Sequence, residues 1–506
     1  MIGGREPEGR RTADCGDGTF ENPILAGDHP DPSVLKDGDD YYLTWSSFDA
    51  SPGLLIMHSL DLVNWTPLTF ALERPPAVVF AVDIARHGDR YFIYIPFIPA
   101  PWAPDFGETP RIAVIHAPSM AGPWSEPIDL GITGAIDPGH VVGEDGRRYL
   151  FLNGVRRVRL TDDGLATDGP VEQVYDGWRY PDDWVTEAYA LEGPKLFWHD
   201  GWCYLVSAVG GTGGPATGHM VTVARSRSVH GPWEDDPANP IVRSTSDAEA
   251  WWSRGHATVV EGPAGDWWMV YHGYENGYRT LGRQALLDPV EWTDDGWFRA
   301  TGGDLAAPIP KPLPTLTTAS GMALSDDFRG GLLGPQWSFH SAGPAEADRV
   351  SFSGGGMRLI AAGTGPADSS PLVVVSGDHA YEVTVTLTLS GQGCSAGLLL
   401  FFNHALFLGM GFDGTRMTTY NGGHGSHWQE PVPTSDTLHL KIVNDHHIVT
   451  FFHSPDGVDW TRHGVRLETS GYHANTAGDL LSLRPALFAA GEGAADFADF
   501  RYRALP

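Results

Sequence analysis

Hydrophobic and polar residues alternate in short stretches along most of the chain, and five of these stretches open alike. A Gly/Asp-rich turn precedes a pair of aromatic or β-branched residues at Asp39-Asp40-Tyr41-Tyr42, Gly88-Asp89-Arg90-Tyr91-Phe92, Asp145-Gly146-Arg147-Arg148-Tyr149, Gly201-Trp202-Cys203-Tyr204 and Gly265-Asp266-Trp267-Trp268. Three copies close on a later Ser-containing segment ending in Trp65, Trp124 or Trp233. The openings recur roughly every 50 to 65 residues, and no long amphipathic helix intervenes, which predicts one four-stranded propeller blade per repeat. Five blades close a ring. Closure protects the sheet edges and brings the inner strand of each blade to a common axis, where residues distant in sequence converge.

The pattern changes after the fifth repeat. Ala306-Ala307-Pro308-Ile309-Pro310-Lys311-Pro312-Leu313-Pro314 reads as a stiff linker, because proline removes ladder donors. Beyond it, alternation at Tyr381-Glu382-Val383-Thr384-Val385, the apolar run Leu398-Leu399-Leu400-Phe401-Phe402, and His447-Ile448-Val449-Thr450-Phe451 predict a β-sandwich. The expected organisation is all-β: an N-terminal tail over 1–20, a five-bladed β-propeller over 21–318 and a β-sandwich over 319–506.

Charge narrows the partners. Acidic residues outnumber basic ones 63 to 33, a formal charge of −30 that repels phosphate backbones and anionic lipid, so neither nucleic acid nor membrane is expected as a partner. A neutral ligand remains compatible, and 18 Trp, 16 Tyr and 22 Phe suit sugars, whose C–H faces stack on rings, although most of these rings are expected to fill β cores. Cys15, Cys203 and Cys394 form neither a CxxC pair nor an even set, which argues against a disulfide framework or zinc site. Residues 1–20 lack a continuous apolar stretch, and the expected location is cytoplasmic. Oligomeric state is not legible, and self-association stays open.

Three acids stand at similar distances before aromatic-opened strands: Asp31 in His29-Pro30-Asp31-Pro32-Ser33, Asp137 in Ile136-Asp137-Pro138-Gly139, and Glu192 in Leu191-Glu192-Gly193-Pro194. Any one alone is an ordinary turn acid, and Glu261-Gly262-Pro263 shows how readily the tripeptide occurs. Recurrence in phase with the repeat is harder to obtain from turn chemistry. Glycosidic hydrolysis needs a carboxylic acid to protonate the leaving oxygen and a carboxylate to activate water or attack the anomeric carbon, which makes these three the candidate catalytic residues.

The chain around these acids resembles glycoside hydrolase family 43, the β-xylosidase and α-L-arabinofuranosidase family. The resemblance rests on Asn22-Pro23-Ile24-Leu25-Ala26-Gly27-Asp28-His29-Pro30-Asp31-Pro32-Ser33, Ser46-Ser47-Phe48, His58-Ser59-Leu60-Asp61-Leu62-Val63-Asn64-Trp65, Ile136-Asp137-Pro138, Glu192-Gly193-Pro194 and Leu281-Gly282-Arg283-Gln284. The second domain, from Asp326-Asp327-Phe328 and including Trp337, is similar to the concanavalin-like sandwich of the family's xylosidase-type members. The resemblance implies Asp31 as general base, Glu192 as general acid and Asp137 as the residue that orients the acid and tunes its pKa. It implies inversion, for which base and acid stand about 6.5–9.5 Å apart around a water.

The resemblance also implies that Arg283 reaches sugar hydroxyls in the innermost subsite, the alternative being an interblade or surface ion pair. Phe48, in preference to Trp45, is expected to wall the pocket, and Asp83 is counted with the substrate-binding residues. His256 resembles the family's histidine near the axis, which is sometimes found close to calcium. Calcium prefers oxygen ligands, so no metal ligand is assigned and no cofactor is expected to be required, while a calcium ion near His256 stays open. Two departures bear on substrate preference: Phe80-Ala81-Val82-Asp83 where members commonly have Trp-Ala-Pro-Asp, and Lys195 where many have an aromatic or His.

The expected activity is release of xylose from non-reducing ends of xylooligosaccharides. The alternatives are an α-L-arabinofuranosidase, a retaining enzyme acting on fructosides (disfavoured by Glu-Gly-Pro in place of Glu-Cys) and a non-catalytic sugar-binding protein (disfavoured by the presence of all three acids). Sandwich residues such as Phe407 or Trp428 are candidates to reach the site.

Overall fold

The computed structural model describes residues 7–341, 343, 346–427, 432, 433 and 435–506; Trp428 lies outside the described residues. Five antiparallel sheets follow one another along the chain, each built from one continuous segment; three have four strands, and those of blades two and four have a fifth short strand. Their inner strands are Ser33–Asp37, Asp83–His87, Gly139–Val142, Glu192–His199 and Trp251–Glu261. The aromatic pairs of the repeats fall on the second strands, Asp40–Thr44, Arg90–Ile98, Arg148–Leu152, Trp202–Val209 and Trp267–Glu275, which are largely buried between neighbouring blades. The candidate acids therefore precede or open the inner strands, one strand earlier than the aromatic signal. The recurring Ser-to-Trp segment is a turn: in blade one, Asp61 accepts the backbone N–H groups of Val63 and Asn64 at 3.0 and 2.7 Å, and Trp65 Nε1 donates to Leu62 O at 2.8 Å.

The ring is closed by the segment before blade one. Ile24 N donates to Ala285 O at 2.9 Å and His29 N to Arg283 O at 2.8 Å, so this segment lies along Arg283–Trp292, the third strand of blade five. Where described, the expected N-terminal tail is tied down, with Phe20 buried and Thr19–Phe20 paired to Ile309–Pro310. The Pro-rich stretch is correspondingly anchored: Lys311 Nζ meets Asp14 Oδ2 at 2.5 Å.

The C-terminal domain packs an eight-stranded sheet against a seven-stranded one. Buried and half-buried positions alternate along Ala380–Ser390, with Val383, Val385 and Leu387 turned into a core shared with Trp337, Leu400 and Phe451. One edge of the eight-stranded sheet comes from the propeller: Ala50–Ser51, in a blade-one loop, pairs with Trp337–His340. The seam continues where Leu483 N donates to Thr280 O at 2.8 Å and His379 stacks on Tyr278 with ring centroids 3.7 Å apart. Phe407 packs against Phe401 and Tyr420 in a separate cluster on the face of the eight-stranded sheet turned away from the core between the two sheets.

Candidate active site

At the axis, four inner strands place a residue in the left-handed region of backbone space: Asp31 (φ 54°), Asp137 (φ 55°), Gly193 (φ 61°) and His256 (φ 59°). Left-handed backbone costs a non-glycine residue roughly 1–3 kcal/mol and is best tolerated by short polar side chains such as Asp. Blade four meets the same demand with Gly193, whose Cβ, if present, would stand 2.9 Å from His256 Nε2. The acid of that blade is therefore displaced one position, to Glu192, whose longer side chain reaches further.

Two residues beyond each of these positions, on the same face of the strand, lies a second layer: Ser33, Gly139, Lys195 and Thr258, with Asp83 from blade two. Lys195 Nζ donates to Asp83 Oδ1 at 2.6 Å and Val82 O at 2.7 Å; Ser33 Oγ donates to Asp83 Oδ1 at 3.3 Å; His140 N donates to Asp83 Oδ2 at 2.7 Å. Asp83, counted with the substrate-binding residues from sequence, lies in this second layer. Both of its oxygens are engaged by protein, and with Lys195 it forms a buried ion pair on the axis next to the acids. Lys195, seen in the sequence as a departure, is the counter-ion that permits Asp83 to be buried.

Of the three candidate acids, Asp31 is the most heavily bonded. Oδ2 accepts from Ser46 Oγ at 2.5 Å and Oδ1 from Arg283 Nη1 at 3.0 Å, while the Nδ1 atoms of His272 and His256 stand 3.1 and 3.4 Å from Oδ1. Burial alone would raise its pKa; Arg283 and the two histidines outweigh it and hold Asp31 well below the usual carboxylate range. Burial, then the charge of Asp31, pushes Asp137 up to about 7. Burial, then Asp137 and Asp31, raises Glu192 well above its ordinary value. One buried cluster thus contains a carboxylate held ionised and a carboxyl held protonated.

Arg283 is buried and offers more donors than the protein uses. Its backbone N–H donates to Asp28 Oδ1 at 3.0 Å and Nη1 to Asp31, while Nε and Nη2 have no protein partner. Its guanidinium lies 5.5 Å from the Phe48 ring, which packs edge-on to Phe80 at 5.4 Å. Trp45, the alternative wall, is in the blade core and meets His29 edge-on. Ser46, Thr212, His219 and His272 also enter the cluster and were not singled out from sequence. Ser46 and His272 stood inside repeat segments, and the available signal was a polar residue within (His272) or just after (Ser46) a largely apolar strand. Around His256 the near groups are the imidazole of His272, the Arg283-bound Asp31 and Gly193, and among the described residues no group of three or more His, Cys, Asp or Glu could hold a metal. That nitrogen-rich, cation-flanked set does not match the six to eight oxygens that calcium selects.

The fold and these acids define a sugar-processing propeller, and comparison with known proteins agrees. The family model described as Glycosyl hydrolases family 43 matches residues 20–298, and that of the beta xylosidase C-terminal concanavalin A-like domain matches residues 325–503. The chain belongs to glycosyl hydrolases family 43. It is 32% identical over 332 residues to a xylan 1,3-beta-xylosidase of Vibrio sp, covering 58% of this chain and 60% of that protein. It is also 32% identical over 349 residues to a non-reducing end alpha-L-arabinofuranosidase of Bacteroides ovatus, covering 63% and 61%. The matches thus span about three fifths of these relatives. A mutant of the family 43 protein from Bacillus licheniformis superposes with a TM-score of 0.85 at 28% identity, over 96% of this chain and 100% of that one.

Proposed function

We propose that this protein is an inverting exo-glycosidase that removes xylose from the non-reducing ends of xylooligosaccharides, with Asp31 as general base, Glu192 as general acid and Asp137 tuning the acid. The observation that carries this reading is the meeting of the three acids at the axis, with Gly193 N–H, next to Glu192, donating to Asp137 Oδ2 at 3.1 Å and Arg283 Nη1 to Asp31 Oδ1 at 3.0 Å; the opposite directions in which Asp31 and Glu192 are shifted accord with it. Glu192 gives its proton to the glycosidic oxygen as the C–O bond breaks. A water on the opposite face of the sugar attacks the anomeric carbon and passes a proton to Asp31. Asp137, as a like charge, keeps Glu192 protonated until that moment. The free Nε and Nη2 of Arg283 are donors without a protein acceptor, suited to sugar hydroxyls, and Phe48 supplies an apolar face.

An α-L-arabinofuranosidase is the second reading, because relatives with each printed activity match at the same 32% identity. Time-resolved NMR on xylobiose and on an arabinofuranosylated xylooligosaccharide tests both. α-Xylose as the first product from xylobiose supports the first reading, and release of arabinose alone supports the second. A first product of retained configuration, or no hydrolysis of either, overturns the mechanism. Three free thiols, two of them buried, fit the cytoplasmic location we propose with it.

A further inference from the structure

We propose that His219 is a positioning residue for Glu192, its Nδ1–H holding the acid's Oε1 so that the proton is carried on the other oxygen, toward the leaving group. The inference rests on the glycosidase reading above. His219 is completely buried immediately before Met220–Ser226 in blade four, yet neither ring nitrogen has a hydrogen-bond partner. A buried imidazole with both nitrogens idle is exceptional, since buried polar side chains are almost always satisfied. Glu192 Oε1 stands 3.9 Å from Nδ1. That gap is about 1 Å longer than a hydrogen bond. Of the two partners only Glu192 has room to close it, with a side chain 23% exposed against 0% for His219.

The imidazole itself is held on two sides. It stacks on His272 with ring centroids 5.3 Å apart and planes 4° from parallel. On another side lies Gly255, where a Cβ would stand 2.0 Å from the His219 ring. The ring's setting also fixes its charge: burial, then the neighbouring His272 and His256, keeps it neutral, so it has one N–H to give and does not compete for the catalytic proton. His272 uses its own nitrogens differently: Nδ1 accepts the Asp31 backbone N–H at 3.0 Å, and Nε2 meets Thr212 Oγ1 at 3.2 Å. The stacked pair therefore links base and acid, with the ring at 3.9 Å from Glu192 as the member still lacking partners. Catalytic hydrogen bonds commonly tighten only when substrate is bound. Glu192 would close on Nδ1 as sugar fills the pocket, and the bond would persist to the carboxylate left after proton transfer. His219 keeps its proton throughout; the transferred proton is that of Glu192.

The test is His219→Phe, which preserves the stack but has no N–H, compared with His219→Asn, which restores a donor. Each is assayed on the natural disaccharide and on the 2,4-dinitrophenyl glycoside of whichever sugar the wild type accepts; the dinitrophenolate departs without protonation. The expected result for His219→Phe is a loss of kcat of about 10- to 100-fold on the disaccharide with KM little changed. The loss on the activated glycoside should stay below about 3-fold, and the alkaline limb of the kcat/KM profile should move to higher pH, because a donor to the charged acid is gone. His219→Asn should recover part of the disaccharide rate. Equal losses on both substrates, an unmoved alkaline limb, or no loss in either variant would overturn the assignment. Should His219→Phe fail to fold, His219→Met, which likewise lacks an N–H, takes its place on the same readouts. Failure of the wild type to cleave any of these glycosides would instead overturn the functional reading.

Discussion

The backbone N–H of Gly193, the residue after Glu192, donates to Asp137 Oδ2 at 3.1 Å. This single bond ties the carboxyl of blade three to the strand that carries the acid, and it keeps a like charge beside Glu192. Asp137→Asn retains an oxygen able to accept the same N–H while deleting the charge. The pKa of Glu192 then falls, and the alkaline limb of kcat/KM moves to lower pH by about one unit or more. A pH–rate profile on xylobiose measures it, and an unmoved limb denies Asp137 the tuning role.

The same arrangement carries a stability cost. Asp137 is raised to about 7 in the folded chain, so its favourable contribution is complete below its unfolded value near 4 and is lost as pH rises through 7. Asp31 works oppositely: its folded pKa lies below the unfolded one, so its contribution is present above about pH 4 and disappears as pH falls further. Asp137→Asn should therefore melt above the wild type at pH 8. The gain should be on the order of a few kcal/mol, at ~1.4 kcal/mol per pKa unit, and should shrink toward zero near pH 4. Differential scanning calorimetry across that range checks the sign.

Arg283 both depresses Asp31 and leaves Nε and Nη2 unpartnered. Arg283→Ala should raise the pKa of Asp31, moving the acid limb of the profile to higher pH. It should also raise KM, with kcat/KM falling about 100-fold or more as donors to the sugar are lost. A change confined to thermal stability, with the acid limb in place, would reduce Arg283 to a structural ion pair.

Lys195 and Asp83 are both largely buried, at 7% and 11% side-chain exposure. Removing one partner of such a pair leaves an uncompensated charge, so Lys195→Met should cost about 3–5 kcal/mol in urea unfolding. Adding Asp83→Asn, which removes that charge yet keeps an acceptor for His140 N–H, should recover much of the loss. A single variant as stable as the wild type would show that the pair is solvated.

Much of this protein was legible in its sequence. The aromatic-opened repeat set five blades, because each blade must bury its second strand between neighbours, and the Pro-rich break followed by alternation set a second β domain. Asp31, Asp137 and Glu192 were visible because a ring fold repeats its inner-strand positions in phase. Tertiary structure alone decided the rest. Asp83 lies in the same phase but two residues deeper, against Lys195, a difference in depth along the axis that linear spacing does not encode. Ser46, beside Asp31 in blade one, His219, beside Glu192 in blade four, and His272, from the neighbouring blade five, reach the acids from segments whose local sequence looks like blade core. Ala50–Ser51 joins a sheet of the other domain through backbone bonds that carry no side-chain signature. Local patterning fixes which elements form and which face they bury; which side chains share a charge depends on closure of the ring, and the proton affinities of Asp31 and Glu192 follow from that meeting.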